Sequence, residues 1–165
     1  APTQGAHLGR EGECGGKRSI AIMLRFDSRR MASRVRTLLP VRIRQKLPRE
    51  VGVVELNASE SMRLNRRYRK KRKPANVLSF RYSDAYGEIL LCPEVIRRDA
   101  LKTISAARMR GDIFVIHMTW MIVHGMLHIA GVHHELSEGE DRRSRTIERG
   151  ILQKIFPQAP LDFLL

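Results

Sequence analysis

Residues 113–130 read IFVIHMTWMIVHGMLHIA, eighteen positions without a formal charge. That length reaches the lower limit of a membrane-spanning helix. The stretch also carries His117, His124 and His128, which are expensive in lipid, and it has no aromatic belt at either end. It is therefore read as a helix buried in a soluble core. Asp112 is available to cap its start, and Gly131 can end it by adopting a left-handed backbone.

Outward from this helix the chain divides into short elements. Residues 19–26 (SIAIMLRF) and 51–56 (VGVVEL) read as strands, as do 76–82 (NVLSFRY) and 88–92 (EILLC), the last two joined by a turn around 84–87. Residues 28–47 have apolar positions at helical spacing but are interrupted by Pro40, which predicts a broken helix. Residues 58–70 form a helix with Asn57 or Ser59 as N-cap, and 94–104 follow Pro93 as another. Ser137 and Glu140 make an S-x-x-E capping pattern that opens a last helix over 138–156. The expected fold is α/β (α+β): one domain, a mixed four-stranded sheet and helices packed on it. Residues 1–17, rich in Gly and small polar residues, are expected to be a disordered extension to a domain spanning 18–165.

The formal net charge is +14, from 31 Lys and Arg against 17 Asp and Glu. Such an excess favours a polyanionic partner, nucleic acid first. The cations concentrate in residues 63–73, which hold Arg63, Arg66, Arg67, Arg69, Lys70, Lys71, Arg72 and Lys73. Arg29, Arg30, Arg34, Arg36, Arg42 and Arg44 extend the supply. Aromatic residues make up 5%, so base stacking is not expected to dominate affinity; weak sequence readout and strong salt dependence are. Cys14 and Cys92 lie far apart with no CxxC pair, which fits a reducing compartment. A cytoplasmic setting is expected, with a mitochondrial or other organellar one as the alternative. Glu11 and Glu13 are unlike a transit peptide, and no membrane partner is expected.

The chemistry is concentrated in HGMLHIAGVHH, residues 124–134. His124 and His128 stand four apart on the predicted helix, so they project from one face and can share a metal ion. A chain reversal at Gly131 lets a later histidine, His133 or His134, reach back to complete a triad of imidazoles. Three nitrogen ligands with an open fourth position is the catalytic form of zinc coordination, although nickel or iron can use the same rings. His117, seven residues before His124, is read as a core histidine, with a supporting role behind the ligands as the alternative.

This stretch resembles the signature of the YbeY endoribonucleases, H-G-x-L-H-L-x-G-[YF]-D-H. In that register His134 is the third ligand, His133 replaces an Asp and Val132 an aromatic. Residues 64–80, LNRRYRKKRKPANVLSF, resemble the family's L-N-x-x-Y-R-x-K-D-x-P-T-[DN]-V-L-S-F, with Arg72 in place of Asp and Ala75 in place of Thr. Residues 87–94, GEILLCPE, resemble G-D-I-x-I-C-P-E. The resemblance implies a zincin-like fold, one zinc ion on His124, His128 and His134, and cleavage of single-stranded RNA in ribosomal RNA maturation and ribosome quality control. It also implies a functional role for Arg69. Precursor ribosomal RNA is the implied substrate, with ribosomal components as further partners.

The expected mechanism has zinc polarising a phosphate oxygen or activating the attacking oxygen, while Arg69 neutralises phosphoryl charge. A metallopeptidase would carry Glu directly after the first His; Gly125 stands there, which disfavours that class. A non-catalytic, ribosome-associated RNA-binding factor with a structural metal is the other alternative. Three ligands without cysteine point instead to an open, reactive site.

Overall fold

A computed structural model describes residues 26–103, 113–133, 137–159 and 161 of the chain. Local chemistry accounts for most element boundaries. The Asp27 side chain accepts the Arg30 N–H and starts helix α1, Ser28–Leu38. Pro40 then breaks the helical run as expected, and a single turn, α2 (Val41–Arg44), follows. Strand β1 is Glu50–Glu55, and Asn57 with Glu60 forms a reciprocal capping box that opens α3, Ala58–Arg69. Strands β2 (Val77–Arg81) and β3 (Tyr86–Leu91) precede α4 (Pro93–Thr103), α5 (Ile113–Ile129) and α6 (Glu138–Ile155). The Ser137 hydroxyl accepts the Glu140 N–H at the start of α6. The expected Asp112 cap lies outside the described residues.

Among the described residues the sheet has three strands in the order β1-β3-β2, with β1 parallel and β2 antiparallel to the central β3. This differs from the expected four. Nearly all of the strand read over 19–26 lies outside the described residues, and Phe26 belongs to no element. The expected turn at 84–87 is also shifted: β3 begins at Tyr86, so Gly87 is a strand residue. A side chain at Gly87 would lie 3.0 Å from the Phe80 carbonyl oxygen and 3.3 Å from Ile129, so close packing fixes glycine here.

Helix α5 is the spine. It packs on β2 and β3 and is flanked by α1, α4 and α6. Twelve of its seventeen residues are buried, on every side of the helix. Ile122, Val123, Met126 and Leu127 join Ile89 and Leu91 of β3 and Val35 of α1 in the main core. Each such side chain contributes about 1.5–3 kcal/mol by leaving water. Among the described residues, no helix is long and apolar enough to cross a membrane. Gly125 meets the sheet most closely: a Cβ there would stand 3.0 Å from Ile89 Cγ2, so the helix lies against β3 at that point.

Candidate active site

His124 and His128 project together from α5 into a cleft of about 680 Å³. Asn76, residues 77–80 of strand β2, and Tyr68 and Arg69 from the end of α3 also line it. The Nε2 atoms of the two histidines converge to 3.1 Å. Two nitrogens on a tetrahedral zinc, each about 2.0–2.1 Å from it, stand about 3.3 Å apart. The pair is thus already spaced close to what one ion requires.

The other ring nitrogen of His124 is held from behind. His124 Nδ1 donates to Glu148 Oε1 at 2.8 Å, and Trp120 Nε1 donates to the other oxygen, Oε2, at 2.8 Å. Glu148, on α6, is 4% exposed. A carboxylate accepting at Nδ1 fixes the His124 tautomer and turns the Nε2 lone pair to the cleft. The sequence reading missed Glu148, although a signal was present. Ser144, Glu148, Ile151, Leu152 and Ile155 form the buried stripe of α6, so one carboxylate sits on an otherwise core-facing row.

Beyond His128 the chain reverses as expected. Gly131 has φ 79°, its N–H bonds the His128 carbonyl at 3.0 Å, and the Val132 N–H bonds the Leu127 carbonyl at 2.9 Å. These are the two bonds of a Schellman cap, and Val132 completes it by packing against the core. Arg81 of β2 donates to the Ile129 carbonyl at 3.2 Å and pairs with Asp84 at 2.7 Å, tying the end of α5 to the sheet. This tie was not anticipated from the sequence either.

The reversal brings His133 into the cleft, with its Nδ1 3.3 Å from His128 Nδ1, the nitrogen turned away from His124. His134 lies outside the described residues. Among the described residues no group of three or more His, Cys, Asp or Glu forms a metal cage. His117 does not line the cleft. Its Nδ1 donates to the Ile113 carbonyl at 2.9 Å, it is buried, and its ring meets Trp120 edge-on. It is a core histidine, as its sequence setting predicts, and desolvation lowers its pKa.

The basic run lies where the cleft needs it. All eight cations of residues 63–73 are exposed, on α3 and the loop after it, and Arg69 reaches the cleft wall. Two buried polar residues of α3 pin that loop. Ser61 Oγ donates to the Ala75 carbonyl and accepts its N–H, and Asn65 Nδ2 donates to the Lys73 carbonyl at 2.7 Å. Gly125 faces Ile89, away from the cleft, so a glutamate there would have neither room nor reach to act as a peptidase base.

Comparison with known proteins bears on this geometry. The family model for endoribonuclease YbeY matches residues 21–156. The endoribonuclease YbeY of Chelativorans sp. (strain BNC1) is 34% identical over 136 residues, covering 77% of this chain and 78% of its own. That of Acidovorax sp. (strain JS42) is 34% identical over 109 residues, covering 64% and 67%. A solution structure of a protein from Thermotoga maritima covers 90% of the chain and 87% of its own, with a TM-score of 0.50. At 21% identity that likeness is one of fold alone.

Proposed function

The chain belongs to the endoribonuclease YbeY family, and from that premise we propose that it is a zinc-dependent endoribonuclease specific for single-stranded RNA. Hydrolysis of RNA and a part in ribosomal RNA maturation follow from the family. The proposal adds the metal, the residues that hold it, and a cytoplasmic setting in which precursor ribosomal RNA is cut alongside ribosomal components in the course of quality control.

The observation that carries the metal assignment is the convergence of His124 and His128 Nε2 to 3.1 Å, with buried Glu148 behind the first of them. Both residues fit a zinc ion, and His134 is assigned as the third ligand. His133 approaches His128 from the nitrogen that would not ligate, which suits a supporting partner. It stands where the family signature has Asp, so an imidazole faces His128 there in place of a carboxylate.

When bound, zinc supplies Lewis acidity at the phosphodiester. The chain's own residues do the rest. Glu148 keeps His124 in the Nδ1–H tautomer and fixes its ring. Arg69, on the cleft wall, offsets the charge that grows on the phosphoryl oxygens. The exposed cations of α3 and the following loop hold the phosphate backbone on approach. The fourth strand, residues 19–26, belongs to the same proposal. Among the described residues β1 pairs with β3 alone, and a cleft of about 620 Å³ lies beside β1, lined also by Ala32 and Arg36 of α1.

The test combines metal analysis with cleavage of a single-stranded RNA oligomer. His128→Ala should lose its zinc, and a chelator should stop cleavage by the unmodified protein. Arg69→Ala should keep its zinc and cleave at least about 100-fold more slowly. Zinc retained by His128→Ala, or cleavage indifferent to chelator, would overturn the assignment.

A further inference from the structure

The chain has three tyrosines, Tyr68, Tyr82 and Tyr86, and the fold gathers all of them with Phe80 in one row. Strand register explains the gathering. Gly87 and Ile89 of β3 face α5, so Tyr86 and Glu88 face away from it. Phe80 lies opposite Glu88, and the Tyr82 N–H bonds the Tyr86 carbonyl at 3.1 Å, extending the ladder by one pair. Tyr68 meets Phe80 edge-on at 4.9 Å between ring centroids. Phe80 and Tyr82 are nearly parallel at 6.1 Å, and Tyr82 and Tyr86 at 5.8 Å. Rings at that separation are offset and do not cover one another.

The row is held in place. Glu88 accepts the Tyr82 hydroxyl on Oε2 and the Tyr86 hydroxyl on Oε1, each at 3.1 Å. Gly52 on β1 leaves room for Tyr86; a Cβ there would stand 2.6 Å from its hydroxyl oxygen. Despite this fixing, Tyr68 is 54% and Tyr82 59% exposed. An ordered, solvent-facing aromatic strip on a soluble domain calls for an occupant.

We propose that the strip is a base-stacking track for unpaired nucleotides of the RNA substrate, leading out of the cleft across the outer face of the sheet. The inference rests on the endoribonuclease reading and specifies how that site takes its substrate. Continuity supports it: Tyr68 and Phe80 line the cleft that holds His124 and His128. Charge supports it too. The Arg67 guanidinium lies 5.5 Å from the Tyr68 ring centre, and Arg63, Arg66 and Arg69 of the same helix are exposed. Phosphates follow those cations, while the Glu88 carboxylate repels them from the tyrosine side and leaves that side to bases. Every base has a π-face, so such a track holds an unpaired strand with little regard to sequence and rejects a stacked duplex.

The test is binding of a labelled single-stranded RNA oligomer, with chelator present and the oligomer's integrity checked on a gel. A matched oligomer with abasic positions serves as the second probe. Tyr82→Ala should bind the intact oligomer about tenfold more weakly, and Tyr82→Phe should restore binding because the ring is kept. The abasic oligomer should bind weakly and equally to the unmodified protein and to Tyr82→Ala. Equal binding of intact RNA by the protein and Tyr82→Ala overturns the track. So does equal affinity for intact and abasic oligomers, which would leave the strip to an apolar protein surface. If either result comes with chelator-sensitive cleavage intact, the endoribonuclease reading stands and only the track fails. If the unmodified protein binds no RNA at low salt, the reading itself fails.

Discussion

Glu148 joins two rings through one buried carboxylate, His124 on one oxygen and Trp120 on the other. Removing its charge while keeping its shape is therefore an informative change. Glu148→Gln should lower zinc affinity by about 10–100-fold, measured by competition with a chromophoric chelator; unchanged affinity would mean that the carboxylate does not tune the ligand. His117 makes a separate prediction. Burial lowers its pKa, so the folded state prefers the neutral ring. Its contribution to stability is complete above the ordinary histidine value of about 6.5 and is lost as pH falls through the lower folded value. The thermal midpoint should drop with acidification across that window. His117→Gln should make the drop shallower; an identical pH profile would show that this ring is not the group responsible.

At the scale of the element, the end of α5 is decided by a backbone angle. Among the described residues, no atom beyond the chain neighbours lies within 4 Å of where a Gly131 Cβ would be, so Gly131→Ala is expected to cost the left-handed conformation at φ 79°. The expected loss is about 1 kcal/mol in urea unfolding. A loss near zero would mean that the cap relaxes by another route. This cap was legible in the sequence, as were Asn57, Pro40 and Ser137, because each acts on neighbours within a few residues. The i, i+4 spacing of His124 and His128 was legible for the same reason. Glu148 was not, since it meets His124 across twenty-four positions and only the packing of α6 on α5 brings them together. Arg81 was hidden likewise: its carbonyl partner at Ile129 is forty-eight residues away. The start of β3 was misread because Gly87 looks like a turn residue until the crowding by Phe80 and Ile129 is seen.

For the whole molecule, the net charge of +14 makes RNA affinity sensitive to salt, with a slope set by the phosphates contacted. If four or five phosphates are neutralised, a plot of log affinity against log salt should fall with a slope of about −3 for single-stranded RNA. A slope near zero would remove the basic surface from the binding account. Tyr82→Ala should lower the line without tilting it, because stacking releases no counterions. Composition alone suggested that stacking does not dominate affinity, yet the fold collects the scattered tyrosines into one place, which no count of residues reveals. The chain also has a single tryptophan, and its indole N–H ends on the carboxylate that steadies His124. Its ultraviolet emission is thus an intrinsic gauge of that pocket: whatever draws charge away from Glu148 changes the light the protein gives back, with no label attached.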